Sequence, residues 1–144
     1  LGCYPVSFIT MLLEKLNLVN FEDYKVLNKK VEIGETGVDI DSKIEMKVNN
    51  RITIKLSSSF KQNIGSATEI HGSRGSIEIP NTWTGSQSII LKKENKKNII
   101  KFDQIDNIYF DQLNIISNDL LDKKIGQNMD NMLLNMKIIE KWLN

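Results

Sequence analysis

The pattern of apolar and polar residues divides the 144-residue chain into a helical start, a central region of period two and a helical end. Near the start, Val6, Ile9, Leu13 and Leu16 recur at helical spacing, which predicts a helix from Val6 to Leu16. Pro5 suits its first turn, because the missing N–H would have no helical partner there. So apolar a helix is expected to be buried on more than one side.

From about Tyr24 to Phe102 the period of two predicts consecutive β-hairpins. The first turns at Asn49-Asn50, since Asn tolerates the positive φ of a tight turn. Its apolar face is formed by Ile44, Met46, Val48, Ile52, Ile54 and Leu56, and its polar face by Lys43, Glu45, Lys47, Thr53 and Lys55. Turns at Gly72-Ser73-Arg74-Gly75 and Asn95-Lys96-Lys97-Asn98 predict two further hairpins, and consecutive hairpins give an antiparallel sheet.

The last forty residues return to helical spacing and predict two helices. The first has an apolar stripe of Phe110, Leu113, Ile116 and Leu120, and the second one of Met129, Met132, Leu133, Met136, Ile139 and Leu143. Methionines in such a stripe are also typical of partner grooves, but a core-facing helix is the preferred interpretation. The element order predicts one α+β domain over residues 1–144, an open, mainly antiparallel sheet with helices packed on one face.

Composition narrows the function classes. The net charge is +1, and the cations are 17 Lys but only 2 Arg, which argues against a nucleic-acid partner. No apolar run is long enough to predict a membrane span. The one cysteine, Cys3, excludes an internal disulfide and suits a reducing compartment, so a cytoplasmic location is expected. Cys3 is interpreted as a small buried hydrophobe, and the single His71 as a surface or sheet residue, with no metal expected near it.

Three short runs resemble the C-terminal domain of the glucose–fructose oxidoreductase / inositol dehydrogenase (Gfo/Idh/MocA) family. Leu1-Gly2-Cys3-Tyr4 is similar to the family's Asp-Leu-Gly-x-Tyr run, without its Asp. Gly37-Val38-Asp39 resembles a Gly-Val-Asp that begins a sheet strand. The run Glu69 to Ile77 resembles the family's Glu-Ile-x-Gly-(Ser/Thr)-(Lys/Arg)-Gly-x-Ile turn. Tyr rather than His at position 4 is similar to the dihydrodiol and sugar dehydrogenase branches.

The resemblance implies an NAD(P)-dependent oxidoreductase that moves a hydride between nicotinamide and a sugar, polyol or diol carbon. Tyr4 would be the catalytic acid/base, and Trp83, in an Asn-x-Trp loop, a substrate-binding residue. NAD or NADP would be held mainly by an N-terminal Rossmann domain expected to precede this chain, since no G-x-G-x-x-G occurs here. The cofactor-binding residues of this chain therefore stay unknown, and the isolated chain is expected to be inactive.

Structural roles remain open beside these functional ones. Tyr4 also fits an amphipathic side chain at a helix start, and Trp83 fits a residue that caps the sheet edge. The whole chain also fits a non-catalytic, stand-alone sheet module for protein assembly or ligand binding. In either case the polar face of the first hairpin is expected to pair with a second copy about a two-fold axis.

Overall fold

The computed structural model of the chain describes residues 2–18, 24–94, 96–103, 107, 109–122 and 129–144. The chain divides into two compact units, Leu1–Ile64 with Gly126–Asn144, and Gly65–Ile125. In chain order the elements are α1 (Cys3–Lys15), β1 (Tyr24–Ile33), β2 (Asp39–Val48), β3 (Ile52–Ser59), β4 (Thr68–Gly72), β5 (Gly75–Ile79), β6 (Ser88–Lys93), β7 (Lys96–Lys101), α2 (Phe110–Leu121) and α3 (Met129–Leu143). The predicted α+β class is confirmed.

The first unit contains an antiparallel sheet in the order β1-β2-β3, with helices α1 and α3. The predicted turn between β2 and β3 is confirmed: Asn49 and Asn50 have φ values of 51° and 53°. The N–H of Arg51 donates to the carbonyl oxygen of Val48 over 3.0 Å and closes this turn. Asn suits it because its short polar side chain tolerates the left-handed region.

The core of the first unit joins one face of its sheet to both helices. Its buried apolar residues are Val6 and Leu13 from α1, Ile44, Met46, Val48 and Ile54 from the sheet, and Ile138 and Trp142 from α3. Alternate residues of β2 are buried, as the period of two predicted. Fully burying each such side chain contributes about 1.5–3 kcal/mol. The two helices are therefore fixed on one face of this sheet.

The second unit contains an antiparallel sheet in the order β4-β5-β6-β7, with helix α2. Its first hairpin turns where predicted, because Gly72 is the cross-strand partner of Gly75. The next hairpin differs from the prediction. Lys96 already pairs with Lys93, so Lys96, Lys97 and Asn98 belong to β7 rather than to the turn. An edge strand accepts such charged residues because one of its sides is free to face water.

The predicted methionine stripe of α3 is mostly exposed rather than facing the core. Met132, Leu133, Met136 and Leu143 are exposed, and the side chain of Met129 lies outside the described set. From the predicted stripe, half-buried Ile139 does pack against the core, where it lies beside half-buried Leu134 and buried Ile138 and Trp142. The predicted stripe of α2 is also exposed at Phe110, Leu113, Ile116 and Leu120.

The environment of α1 corrects two smaller expectations. Cys3 is exposed rather than buried, because it lies in the first turn, away from the core contacts of Val6. Only Val6, Thr10 and Leu13 are buried in this helix, while Met11 is exposed. The helix thus buries one face within the described structure, not several.

Candidate active site

Tyr4 lies in the first turn of α1, and its side chain is 62% exposed. It is two residues from Val6, so helical geometry turns it about 200° away from the core-facing side. Pro5 fits this turn because the first N–H groups of a helix have no helical partner. The phenol of Tyr4 is consequently presented to whatever approaches α1 from outside the first unit's core.

The start of α1 is seated against Trp142 of α3. A Cβ atom added to Gly2 would lie 3.3 Å from Cζ3 of the Trp142 ring, closer than an ordinary van der Waals contact. The Trp142 side chain is itself buried in the core with Val6. Glycine at position 2 therefore allows the helix to start close to the indole, two residues before Tyr4.

Polar contacts tie the middle of α1 to α3. The buried Thr10 hydroxyl lies 2.8 Å from Oδ1 of Asn135 and 3.0 Å from the carbonyl oxygen of Ser7, and it donates its one proton to one of them at a time. The Asn135 amide donates to Oγ of Ser7 over 3.1 Å. Hydrogen bonds with a buried partner fix geometry because leaving that partner unpaired is costly. This cluster sets the rotation of α1, and with it the direction of Tyr4.

A small cavity of about 190 Å³ opens beside the start of α1. Its wall includes Cys3, Asp39, Ser42, Ser58 and Trp142. The Ser42 hydroxyl donates to Oδ2 of Asp39 over 2.8 Å. Nε1 of Trp142 is buried and has no hydrogen-bond partner among the described residues. Tyr4 is not part of this wall, so the cavity and the exposed phenol are separate features.

Trp83 lies in the loop between β5 and β6 and is 40% exposed. Its neighbour Thr82 anchors the loop: the Thr82 N–H donates to the carbonyl oxygen of Ser66 over 2.9 Å, and the Thr82 hydroxyl donates to Oγ1 of Thr68 over 2.8 Å. The backbone that carries Trp83 is thus held to the start of β4. Trp83 belongs to the second unit and Tyr4 to the first, and each is described within its own unit.

The two other family-like runs have structural explanations. Gly37 has a φ of 80° in the turn before Asp39 begins β2. Gly75 has a φ of 151°, and a Cβ atom there would overlap the carbonyl oxygen of Lys92. Both positions favour glycine for backbone reasons. They support the likeness of fold and carry no chemistry themselves.

The remaining sequence predictions concern His71, metals and membranes. His71 is an exposed residue of β4, as expected, with Nε2 3.0 Å from Oε2 of Glu69. Among the residues that the structure describes, no three His, Cys, Asp or Glu side chains cluster in a way that could hold a metal ion. No helix within the same residues has the length and apolar character needed to cross a membrane.

The chain is similar to enzymes of known activity. It is 30% identical over 100 residues to trans-1,2-dihydrobenzene-1,2-diol dehydrogenase of Xenopus tropicalis, and 31% identical over 97 residues to that of Xenopus laevis. The matches cover 69% and 67% of this chain and 28% of each relative. No family model matches the chain.

Solved structures share the fold. KijD10, a 3-ketoreductase from Actinomadura kijaniata solved with NADP and TDP-benzene, superposes with a TM-score of 0.78 at 11% identity, over 94% of this chain and 41% of its own. The MviM dehydrogenase from Clostridium difficile gives 0.65 at 14% identity, over 96% and 46%. The family resemblance is confirmed. The chain has the fold of a C-terminal domain of the Gfo/Idh/MocA type and spans less than half of the proteins it matches.

Two supports of Tyr4 were missed in the sequence, namely Asn135 and Trp142. Both lie on the side of α3 that the sequence pattern did not predict to face the core. The available signal was Trp142 itself, since a tryptophan buries more apolar area than a methionine and usually decides which side of a helix faces a core.

Proposed function

We propose that this chain is the substrate-binding and assembly domain, residues 1–144, of an NAD(P)-dependent oxidoreductase acting on a sugar, polyol or diol. The observation that carries the proposal is Tyr4, exposed at the start of α1 within the family-like Leu1-Gly2-Cys3-Tyr4 run. Two further points support it. The relatives are named as diol dehydrogenases, and a structural neighbour was solved with NADP.

The chemistry requires one proton to move as a hydride moves. Oxidation of an alcohol carbon releases a hydride and the hydroxyl proton, and bound nicotinamide supplies the hydride acceptor. In this proposal Tyr4 takes the hydroxyl proton, and in the reverse direction it gives that proton back. Gly2, Trp142 and Asn135 hold α1, so that the phenol stays where a substrate reaches it. Trp83 supplies an aromatic surface for the substrate.

The decisive experiment is Tyr4→Phe in the full-length protein. We expect kcat to fall by about 10²–10⁴-fold, the usual contribution of a positioned acid/base, with cofactor affinity unchanged. Tyr109→Phe is the matched control, because Tyr109 is 61% exposed, begins a helix and belongs to the other unit. Equal rates for the two variants would remove Tyr4 from the mechanism.

A separate experiment tests whether this chain binds the cofactor on its own. Because this chain contains no glycine-rich phosphate loop of the Rossmann kind, we expect calorimetry on the 144-residue chain to show no micromolar affinity for NADP or NAD. Micromolar binding would show that the chain contributes more to the cofactor site than proposed.

Assembly through the outer face of the first sheet is also part of the proposal. The strand register adds Lys25 opposite Lys47 and Lys30 opposite Lys43, but it also adds Glu32 opposite Asp41, and Lys55 with Glu45 at 3.5 Å and Lys61 with Glu32 at 2.6 Å are lysine–glutamate contacts. This face therefore has the mixed charge expected from its hairpin. A homodimer through it would pair lysines of one copy with carboxylates of the other, so it should become weaker as salt rises, because salt screens attraction between exposed charges.

Sedimentation at two ionic strengths tests this contact. We expect Glu45→Lys to weaken the dimer, while Glu94→Lys, an identical charge change in the other unit, leaves it intact. A monomer at every concentration and salt level would contradict the proposal. For location we propose the cytoplasm, which suits the free thiol of Cys3.

A further inference from the structure

The small cavity of about 190 Å³ in the first unit lies between the polar end of the sheet and the two helices packed on it. The sheet contributes Asp39 and Ser42 from β2 and Ser58 from β3. The helices contribute the start of α1, at Gly2 and Cys3, and the end of α3. The side chain proposed as the acid/base is not part of this wall, so a ligand of the cavity would be separate from the proposed reaction.

Ser58 is a buried polar side chain in this wall that lacks a protein partner. It is only 8% exposed, and its hydroxyl makes no hydrogen bond to any residue that the structure describes. Alternation along β3 places it on the same side as buried Ile54, which is the core side of the sheet. Because a buried hydroxyl without a partner costs free energy, a group inside the cavity that pairs with it would be stabilised there.

An acceptor lies next to this hydroxyl. Ser42 is the cross-strand partner of Ser58, so the two serines are neighbours on the core side. The Ser42 hydroxyl donates to Oδ2 of Asp39 over 2.8 Å, while no described residue donates to Oδ1. Residues 39 and 42 would lie on opposite sides of a regular strand, and the bulge at Ile40 brings them to the same side. The cavity therefore offers one free carboxylate oxygen beside one free hydroxyl.

The charges around the cavity favour an uncharged ligand. The carboxylate of Asp39 repels anions. The start of α1 opposes cations, because it has no side-chain cap and no acidic residue in its first turn to offset the positive end of the helix dipole. The negative end of α3 is compensated by Lys141 in its last turn. The described residues also contain no group of three acidic, His or Cys side chains suited to a metal ion.

We propose that this cavity binds a small neutral polyol, as a second site distinct from the substrate surface assigned to Tyr4 and Trp83. One hydroxyl of the ligand donates to Oδ1 of Asp39, its neighbour pairs with Ser58, and the carbon chain lies against the Trp142 side of the wall. Small-molecule sites commonly combine apolar walls with a few placed polar groups in this way. The volume of about 190 Å³ limits the ligand to a few carbon atoms.

Cys3 provides the readout, because it is the single cysteine of the chain, is exposed and lines the cavity. The experiment measures how fast iodoacetamide alkylates Cys3 in the 144-residue chain as glycerol is added. We expect saturable protection by glycerol and none by 1,2-dimethoxyethane, which has a similar size but no hydroxyl proton to donate. Absence of saturable protection would overturn the site. Stronger protection by ethylammonium would also overturn it, because the cavity would then bind cations.

Variants locate the protection. Ser58→Val removes the hydroxyl and adds bulk, so we expect it to weaken glycerol binding at least fivefold. Ser57→Val is the matched control, since it is the same substitution one residue earlier on β3, where the side chain is exposed, and it should change binding less than twofold. Asp39→Asn keeps the shape of the wall and should also weaken binding. Equal losses in Ser58→Val and Ser57→Val would contradict the assignment.

The two tryptophans of the chain give a second readout by nuclear magnetic resonance. Trp142 lines the cavity and Trp83 belongs to the other unit, and Trp83→Phe assigns their two indole N–H signals. We expect the Trp142 signal to move with the same glycerol midpoint as the protection of Cys3, and to stay fixed in Ser58→Val. If only the Trp83 signal moved, the polyol would bind at the proposed substrate surface, which would overturn the cavity site and leave the proposed function standing.

Discussion

The two units of the chain differ in how well each buries its own apolar surface. In the first unit, eight apolar side chains from both helices and the sheet form one buried core. Within the described residues of the second unit no side chain is fully buried, and Ile99 and Ile100 of β7 are exposed. Both sheets are antiparallel, but the strands of the first unit have 8–10 residues and those of the second only 5–6, so the second sheet offers less surface for a core. The first unit has the interior that supports an independent fold, while the second depends more on hairpin geometry and surface charge.

The largest effect on stability is expected from shortening one isoleucine in each unit, because one of them is buried and the other exposed. Ile138→Ala in α3 removes a side chain with no exposed surface and should cost about 2–5 kcal/mol of unfolding free energy. Ile100→Ala in β7 removes one that is 43% exposed and should cost under about 1 kcal/mol. Urea unfolding measures both. Similar costs would mean that the second unit is buried in solution to an extent the chain alone does not show.

A smaller loss of stability is expected from substituting a glycine in the second unit, where a close backbone contact leaves no room for a side chain. Gly75→Ala should cost about 1–3 kcal/mol, because the new Cβ would overlap the Lys92 carbonyl oxygen at a φ of 151°. Gly72→Ala is the control, since its Cβ would lie 3.6 Å from the Gly75 carbonyl oxygen, an ordinary contact. Thermal unfolding followed in the far ultraviolet compares them. A Gly75→Ala variant as stable as Gly72→Ala would show that the β4–β5 turn relaxes freely.

Local sequence signals correctly predicted two of the three proposed hairpin turns. Asn49-Asn50 and the Gly72 to Gly75 run determine their turns because few other residues accept those backbone angles. The alternation of Ile44, Met46 and Val48 correctly predicted which face of β2 is buried. Turn positions and the buried face of a strand depend on residues close in sequence, so the local sequence pattern is enough to predict them.

The direction of α3 was not predictable in the same way. The helix has two apolar stripes, one through Met132 and Met136 and one through Ile138 and Trp142, and both have helical spacing. Which one is buried depends on where α1 lies, and that is decided by contacts more than a hundred residues apart, such as Thr10 with Asn135. The supports of Tyr4 lie on this side of α3, so they were missed together with it.

The smallest expected effect is on the pH dependence of stability, which can be compared at one carboxyl group in each unit. Asp41 in the first unit is only 7% exposed, and the hydrogen bond from Ser59, helped by Gln62 and opposed by burial, lowers the pKa of its carboxyl below the ordinary 3.8. Glu78 in the second unit also has a lowered pKa, but its cause is the exposed partner Lys92. A lowered carboxyl pKa adds stability that is present above the unfolded value and is lost as pH falls through the folded value.

Unfolding free energies should therefore fall as the pH drops below about 4, the unfolded range of both carboxyls. In 0.5 M salt the loss of unfolding free energy caused by Glu78→Gln should become smaller, because an exposed ion pair is screened by salt. The loss caused by Asp41→Asn should stay the same, since a buried hydrogen bond is screened much less. Urea titrations of the two variants and the wild type at pH 3 and pH 6, with and without salt, measure both losses. If salt reduced the two contributions equally, Asp41 would be no better shielded from solvent than Glu78, and the contrast between the units would be confined to their apolar side chains.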